Sequence, residues 1–266
     1  MILQLSNRAL LKLSGGDTQT FLQGQLSNDI DGLEEGEVQL NAYCQHQGKI
    51  IALLWVMKRD DDFYLSFPSD LAEIITKRLT MFKMMSAVEI TDVSNELIQL
   101  GVIDEGFDNA FKLNDQQSVA LVENVDGVEL DNESEWALAC IANSVAEVEL
   151  KTSEKFVPQL LNLDIDEVGV NFTKGCYPGQ EVVARLHYLG KSKRRMRQFE
   201  CEGEVNVGDE LLVAGSKSAK ASGIVVRRVK LGDKSSFLAT VEVAFEDAAI
   251  TLNNADGIQL TRIKND

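Results

Sequence analysis

The chain has 266 residues, with 42 acidic against 26 basic side chains and a formal net charge of −16. That balance excludes general nucleic-acid binding through bulk charge and favours solubility by self-repulsion. At 44% hydrophobic residues there is material for a real core, and the length suits two or three small domains or one large one.

In chain order, Ala9-Leu10-Leu11-Lys12-Leu13 reads as a strand, Gly15-Gly16 as a turn, and Asp17 as the N-cap of a helix through about Leu26. Residues 37 to 67 give strand-like runs, Ile50 to Val56 and Phe63 to Phe67 among them, divided by the acidic turn Asp60-Asp61-Asp62. Ser69 is expected to cap a helix whose Leu71, Ile74, Ile75, Leu79 and Phe82 share one core-facing side. Strand signals return at Leu97 to Ile103 and Val119 to Val122, and Trp136 to Ala142 is a further apolar run. After Arg197 the pattern changes to short strands, Gln198 to Cys201, Glu210 to Val213, Gly223 to Val229, Phe237 to Val243 and Ile258 to Ile263. Turns such as Val207-Gly208-Asp209, Gly215-Ser216 and Gly232-Asp233 separate them, which predicts a small all-β barrel or sandwich.

No run of about 18 apolar residues occurs, and Met1 to Arg8 lacks a cationic stretch followed by an apolar one, so a soluble, cytoplasmic chain is expected. Cysteines at 44, 140, 176 and 201 are too widely spaced for a disulfide framework or a zinc knuckle. Phosphate-loop, dinucleotide, zinc-protease and serine-elbow motifs are missing. The two histidines are His46 and His187, and His187 reads as a surface residue rather than a base for a thiol.

The segment that carries chemistry is Lys174-Gly175-Cys176-Tyr177-Pro178-Gly179-Gln180-Glu181. Gly175 permits close approach or positive φ beside Cys176, and Pro178 fixes φ where a turn or a first helical turn begins. A helix starting near Pro178 places Glu181 in its first turn and i,i+4 to Arg185, a pair worth about 0.3–0.5 kcal/mol when exposed. Cys176 then precedes the helix start, where the dipole and Lys174 favour a thiolate and Glu181 opposes it. The arrangement presents a thiol rather than burying it. Directly after it, Arg185, Lys191, Lys193, Arg194, Arg195 and Arg197 place six cations in thirteen residues without an acid. This strip reads as a solvated face, or as a site for the glutamate tail of a folate or for RNA phosphates.

The octapeptide resembles the signature of the YgfZ family, folate-binding relatives of the glycine-cleavage T-protein (aminomethyltransferase). Phe156-Val157-Pro158-Gln159 with Asn162 and Asp164 is similar to the segment that precedes that signature. Phe21-Leu22-Gln23-Gly24-Gln25-Leu26-Ser27-Asn28-Asp29 is similar to the family's first helix, and Gln47-Gly48-Lys49 to the turn that follows. Gln25, Asn28 and Asp29 also read simply as caps and turn formers.

The resemblance implies an α+β, T-protein-like three-domain ring with a small C-terminal β-barrel. Its first, folate-binding domain would combine 1–36 with 96–196, the inserted α+β domain would be 37–95, and the barrel 197–266. It implies tetrahydrofolate or a derivative in a central cleft, with Trp136 at a position linked to folate and Arg8 where the family's other folate-linked tryptophan stands. Gln180, Glu181 and Arg185 are the further folate-binding candidates, Lys174, Gly175, Tyr177 and Gly179 frame the motif, and Cys176 is the reactive group. Trp55 reads as core.

The function implied is a folate-binding auxiliary protein supporting iron–sulfur cluster assembly or repair and thereby tRNA modification. Its partners would be cluster-assembly proteins or cluster-dependent tRNA-modifying enzymes, with a weak tRNA contact through 185–197 and no membrane. The aspartate pair that follows the Gly48 turn in T-protein enzymes falls here at Ala52-Leu53. A folate-dependent aminomethyl or one-carbon transferase is therefore the alternative, and a non-catalytic scaffold for cluster-assembly partners a third reading.

Overall fold

The computed structural model describes residues 1–190, 192–213 and 222–264, so Lys191 and the Gly215-Ser216 turn lie outside the described residues. The chain opens with β1 (Ile2–Gln4), β2 (Arg8–Ser14), α1 (Thr18–Gln23), β3 (Val38–Cys44), β4 (Ile50–Arg59) and β5 (Asp62–Pro68). It continues through α2 (Ala72–Lys83), β6 (Glu89–Asp92), β7 (Ile98–Ile103), β8 (Phe111–Lys112), β9 (Gln117–Val122), α3 (Glu133–Ala142) and α4 (Gln180–Leu189). The last part is β10 (Arg194–Glu202), β11 (Glu210–Val213), β12 (Gly223–Leu231), β13 (Lys234–Glu242), β14 (Ile250–Leu252) and β15 (Gln259–Ile263).

These strands form three sheets: a five-stranded sheet in the order β3-β4-β5-β2-β6, a four-stranded sheet β1-β7-β9-β8, and a closed barrel β10-β13-β12-β11-β14-β15. Closure removes exposed edges, the hazard of any open β structure. The barrel starts at Arg194, three residues before the expected boundary, because Arg194 to Arg197 already pair with Glu242 to Ala239. β2 pairs with β5 and β6, so the five-stranded sheet combines a strand from before residue 36 with strands from 37–95.

β4 explains how the cores connect. Its residues from Ile50 to Met57 are all buried because successive side chains point to opposite faces and both faces are covered. Leu54 and Val56 pack with Leu22, Ile75 and Leu79 from α1 and α2. Trp55 and Met57 pack on the other side with Leu3, Val119 and Trp136. Leu53 joins a third cluster with Phe156, Val183, Met196, Val226 and Leu238, which cements the sheet, α4 and the barrel together.

Local expectations differ from the outcome at several points. α1 stops at Gln23, with Gly24 as its C-cap, and the Asp17 carboxylate caps nothing because it accepts the Ala87 N–H at 2.7 Å. Ser69 to Leu71 form a 3-10 turn without a side-chain cap before α2 begins at Ala72. Of the stripe expected on α2, Leu71, Ile75 and Leu79 are buried, whereas Ile74 and Phe82 are 37% and 44% exposed. Phe82 lies under the Arg78 guanidinium instead of in the core. The apolar run from Trp136 is helix α3, started by Asn132, whose side chain accepts the Ser134 N–H.

Candidate functional site

The loop that carries Cys176 is fixed by three distant segments. The Lys174 ammonium donates to the carbonyl oxygens of Gln23, Leu26 and Asn28 at 2.7–2.8 Å, which ties the loop to the turn after α1. Burial lowers the Lys174 pKa to about 8, with Asp29 and Asp31 opposing the shift. Asn28 in turn donates from its side chain to the Leu40 carbonyl and from its backbone N–H to Asn41 Oδ1 at 2.9 Å, while its own Oδ1 accepts from the Asp29 N–H at 3.0 Å. Asn28 and Asp29, read as turn formers or site residues, thus sit in the scaffold of the loop, and Asp29 accepts from Gln23 Nε2.

The second anchor is the Gln45–Gly48 turn. Gly179 has φ +85, and a Cβ there would stand 2.6 Å from Gly48 Cα and 2.5 Å from the Gln45 carbonyl oxygen. Gly175, expected to be the conformationally demanding glycine, has neither a positive φ nor a neighbour within 4 Å. The third anchor is the Pro158–Asp164 segment: Gln159 Nε2 donates to the Val183 carbonyl of α4, Asn162 Nδ2 to the Met196 carbonyl, and Asp164 accepts from Arg195. Tyr177 is buried and its phenol pKa is raised by that burial.

What this framework leaves outside is the thiol. Cys176 is exposed, while Cys44, Cys140 and Cys201 are buried. Burial pushes the Cys44 pKa up to about 12 and raises those of Cys140 and Cys201. α4 follows with Gly179 as N-cap, and Glu181 lies in its first turn. The expected Glu181–Arg185 ion pair does not form; both side chains are exposed, where such a pair gains little over hydration. His187 stacks on Phe172 with centroids 3.8 Å apart. Gln180 is half-buried at the helix start.

Trp136 and Arg8 lie elsewhere, at a cavity of about 370 Å³ bounded by the Leu5–Arg8 segment, α3 and β12. Trp136 is 4% exposed, its ring packed over Gly101 and edge-on to Trp55 at 5.9 Å. The Arg8 guanidinium lies 3.6 Å from the Trp55 ring centroid and donates to Ser66 Oγ and the Ser66 carbonyl oxygen. Arg8 also pairs with Glu147, and the same carboxylate oxygen forms an ion pair with Arg227 Nη2 at 3.0 Å. Burial alone would raise the Glu147 carboxyl; Arg227 and Arg8 outweigh it and hold the group below its ordinary value. Arg227 is 94% buried by its 6% exposure, its Nε has no partner, and Arg228 and Lys230 complete the cationic wall.

The expected folate residues therefore fall into two places. β4 connects them: Ile50 follows the Gly48 turn and Trp55 lies under Arg8, on the order of 15–20 Å apart along the strand. Trp136 and Arg8 line the cavity; Gln180, Glu181 and Arg185 accompany Cys176 and do not line it. Nothing in the sequence marked Glu147, Arg227, Arg228 and Lys230, since a lone glutamate in a loop and three cations within four residues of a barrel strand carry no motif.

The basic strip is largely neutralised. Arg194 pairs with Glu242, Arg195 with Asp164 and Arg197 with Glu246. Among the described residues of the strip, Arg185 and Lys193 make no ion pair.

No protein-family model matches the chain. It is 29% identical to an uncharacterized protein of Haemophilus influenzae, over 86% of this chain and 84% of that one. It is 27% identical to the tRNA-modifying protein YgfZ of Photorhabdus laumondii, over 90% and 83% of the two chains. The tRNA-modifying protein YgfZ of Colwellia psychrerythraea matches at 26%, over 73% and 70%. Among solved structures, the glycine cleavage system aminomethyltransferase T from Bartonella henselae aligns with a TM-score of 0.73. That alignment covers 99% of this chain and 84% of the other at 12% identity, so it establishes the fold alone.

Proposed function

This chain is a YgfZ-family protein with the T-protein fold, and we propose that it is a folate-binding auxiliary protein that supports iron–sulfur cluster assembly or repair and thereby tRNA modification. The reading includes the division into 1–36 plus 96–196, 37–95 and 197–266, and a cytoplasmic setting.

The observation that carries the folate part is the cavity beside Trp136. A pterin needs an aromatic or apolar wall, an acceptor for its N–H edge, and cations for the anionic end of the folate. Trp136 and Leu5 supply the wall. Glu147 supplies the acceptor, because both guanidiniums bind its Oε1 and its Oε2 accepts no hydrogen bond from the described residues. The unpartnered Nε of buried Arg227 is a further sign that the cluster is incomplete without a ligand.

Cys176 is the proposed reactive group, handling sulfur, a one-carbon adduct or a redox partner at the surface. Ala52 and Leu53 are 0% and 3% exposed within apolar clusters, so the place of the T-protein aspartates offers no proton acceptor. That favours an auxiliary role over aminomethyl transfer.

The test is calorimetric titration with tetrahydrofolate of the wild type, Trp136→Phe and Cys176→Ala. The expected result is saturable binding that weakens in the tryptophan variant and survives in the cysteine variant. Absence of binding by the wild type would remove the folate site and leave the scaffold reading.

A further inference from the structure

One face of α2 carries apolar side chains that the core does not take up. Leu71, Ile75 and Leu79 are buried and pack with Leu22, Leu54 and Val56. Ile74, Arg78 and Met81 stand at i, i+4 and i+7, a second stripe beside the first. Ile74 is 37% exposed and Met81 56%, and the chain just past the helix adds Met84 and Met85 at 82% and 98%. With Phe82 at 44%, five large apolar side chains are open to solvent between residues 74 and 85. Singly exposed hydrophobics are ordinary on a protein surface, but such a cluster marks a contact site.

The charge of this segment is opposite to that of the chain. Residues 74 to 88 contain Lys77, Arg78 and Lys83 and no acid, in a protein of net charge −16. None of the three forms an ion pair with a described residue. Lys83 Nζ donates to the Val88 carbonyl at 2.7 Å and closes the turn after the helix. The Arg78 guanidinium is held 5.7 Å from the Tyr43 ring and 5.6 Å from the Phe82 ring, and Lys77 is exposed. At physiological salt the screening length is about 8 Å, so these cations, rather than the distant acidic surface, set the potential that a docked group meets.

We propose that this face of α2 docks an acidic amphipathic helix of a partner protein, whose apolar stripe lies on Ile74, Met81, Met84 and Met85 and whose carboxylates meet Lys77 and Arg78. Charge complementarity selects an acidic partner, and the size and composition of the face exclude the other occupants. α2 spans twelve residues, about 18 Å, so a stripe on it offers on the order of 300 Å², against about 800 Å² per partner in a standard stable interface. Two-fold pairing of two copies would also set Lys77 and Arg78 against their own counterparts with no acid between them. A bilayer surface is held by aromatic anchors, and residues 74 to 88 contain neither Trp nor Tyr. Three of the five apolar side chains are methionines, whose unbranched thioethers adapt to the irregular surface of another protein. Docking here is independent of the folate reading, because no residue of this face lines the cavity beside Trp136.

The experiment titrates the full-length protein into a fluorescein-labelled synthetic helix of about 18 residues, with leucines at i, i+4 and i+7 and glutamates on either side, and into a control with lysine for every glutamate. Fluorescence anisotropy is expected to show saturable binding of the acidic helix with a dissociation constant of about 10–100 μM, weakened by salt, and none of the basic control. The double variant Met81→Ser/Met85→Ser should bind at least about tenfold more weakly, and Lys77→Glu about fivefold. All three positions are exposed, so unchanged thermal unfolding of the variants confirms that the fold is intact. Equal binding by wild type and the methionine variant overturns the inference, as does equal binding of the basic helix or no saturable binding up to about 1 mM. Cosedimentation with phosphatidylglycerol vesicles and sedimentation velocity of the protein alone test the excluded occupants. Vesicle binding lost in the methionine variant would assign the face to a membrane, self-association lost in it would assign the face to a second copy, and either result overturns the partner helix.

Discussion

Gly48 and Gly179 hold two chain segments so close that a Cβ on Gly179 would stand 2.6 Å from Gly48 Cα. Gly179 also has φ +85, a region that costs other residues about 1 kcal/mol or more. Gly179→Ala is therefore expected to destabilise by about 2–4 kcal/mol, combining strain and a backbone clash. Gly175→Ala meets no atom within 4 Å and is expected to change stability by less than about 0.5 kcal/mol. Urea unfolding of the two variants checks the contrast, and equal losses would show that the signature glycines are not distinguished by this contact.

Lys174 gives a pH dependence with a defined sign. Its folded pKa is lowered to about 8 from 10.5, so between these values the unfolded chain binds more protons than the native one. Stability from this group therefore rises as pH climbs from about 8 to 10.5 and is flat below. Denaturant midpoints of the wild type should show this rise, and Lys174→Met should lack it. The variant should also be less stable throughout, because three carbonyl oxygens lose their donor. An identical pH slope in both proteins would contradict the placement of the ammonium.

These two contacts show why the sequence discloses the elements better than their purposes. The continuous apolar run of β4 and the short strands after residue 197 are local patterns, and they mark a buried strand and a barrel or sandwich, whereas the α+β three-domain architecture is what the resemblance implies. Which glycine of the Cys176 segment bears the strain depends on a turn at Gln45–Gly48, far away in the chain. Lys174 looks like a cation beside a thiol, yet its charge is absorbed by carbonyls after α1. The strip from Arg185 reads as a polyanion site until the acids that pair with it are located on the barrel and at Asp164. Arg8 keeps an aromatic contact through Trp55.

Thiol reactivity should separate Cys176 from the other three cysteines. Native protein is expected to take up maleimide rapidly at one cysteine, the exposed Cys176, and at all four after unfolding. Cys44, with its pKa pushed up to about 12 by burial, contributes almost no thiolate at neutral pH. Cys176→Ala should abolish native labelling and leave the unfolding midpoint within about 0.5 kcal/mol of wild type, since surface substitutions away from special contacts have small effects. Native labelling of more than one cysteine would contradict the burial of the rest.

The Arg195–Asp164 pair predicts a structural rather than an RNA phenotype for the strip. Arg195 donates to both oxygens of Asp164, one at 3.0 Å, and to the Gln159 carbonyl at 2.9 Å, while Asp164 is 8% exposed. Arg195→Met leaves a nearly buried carboxylate without its partner and should cost about 2–4 kcal/mol. Any tRNA binding should scarcely change in that variant, measured at a temperature where it remains folded. Arg185 and Lys193 are the cations of the described strip without an ion pair, so together they support a salt dependence with a log–log slope of about −2 at most. A much steeper slope that is lost in Arg195→Met would show that the pair opens to bind phosphate. A destabilised variant with unchanged RNA affinity would confirm that Arg195 fastens the first barrel strand to the segment beneath the Cys176 loop.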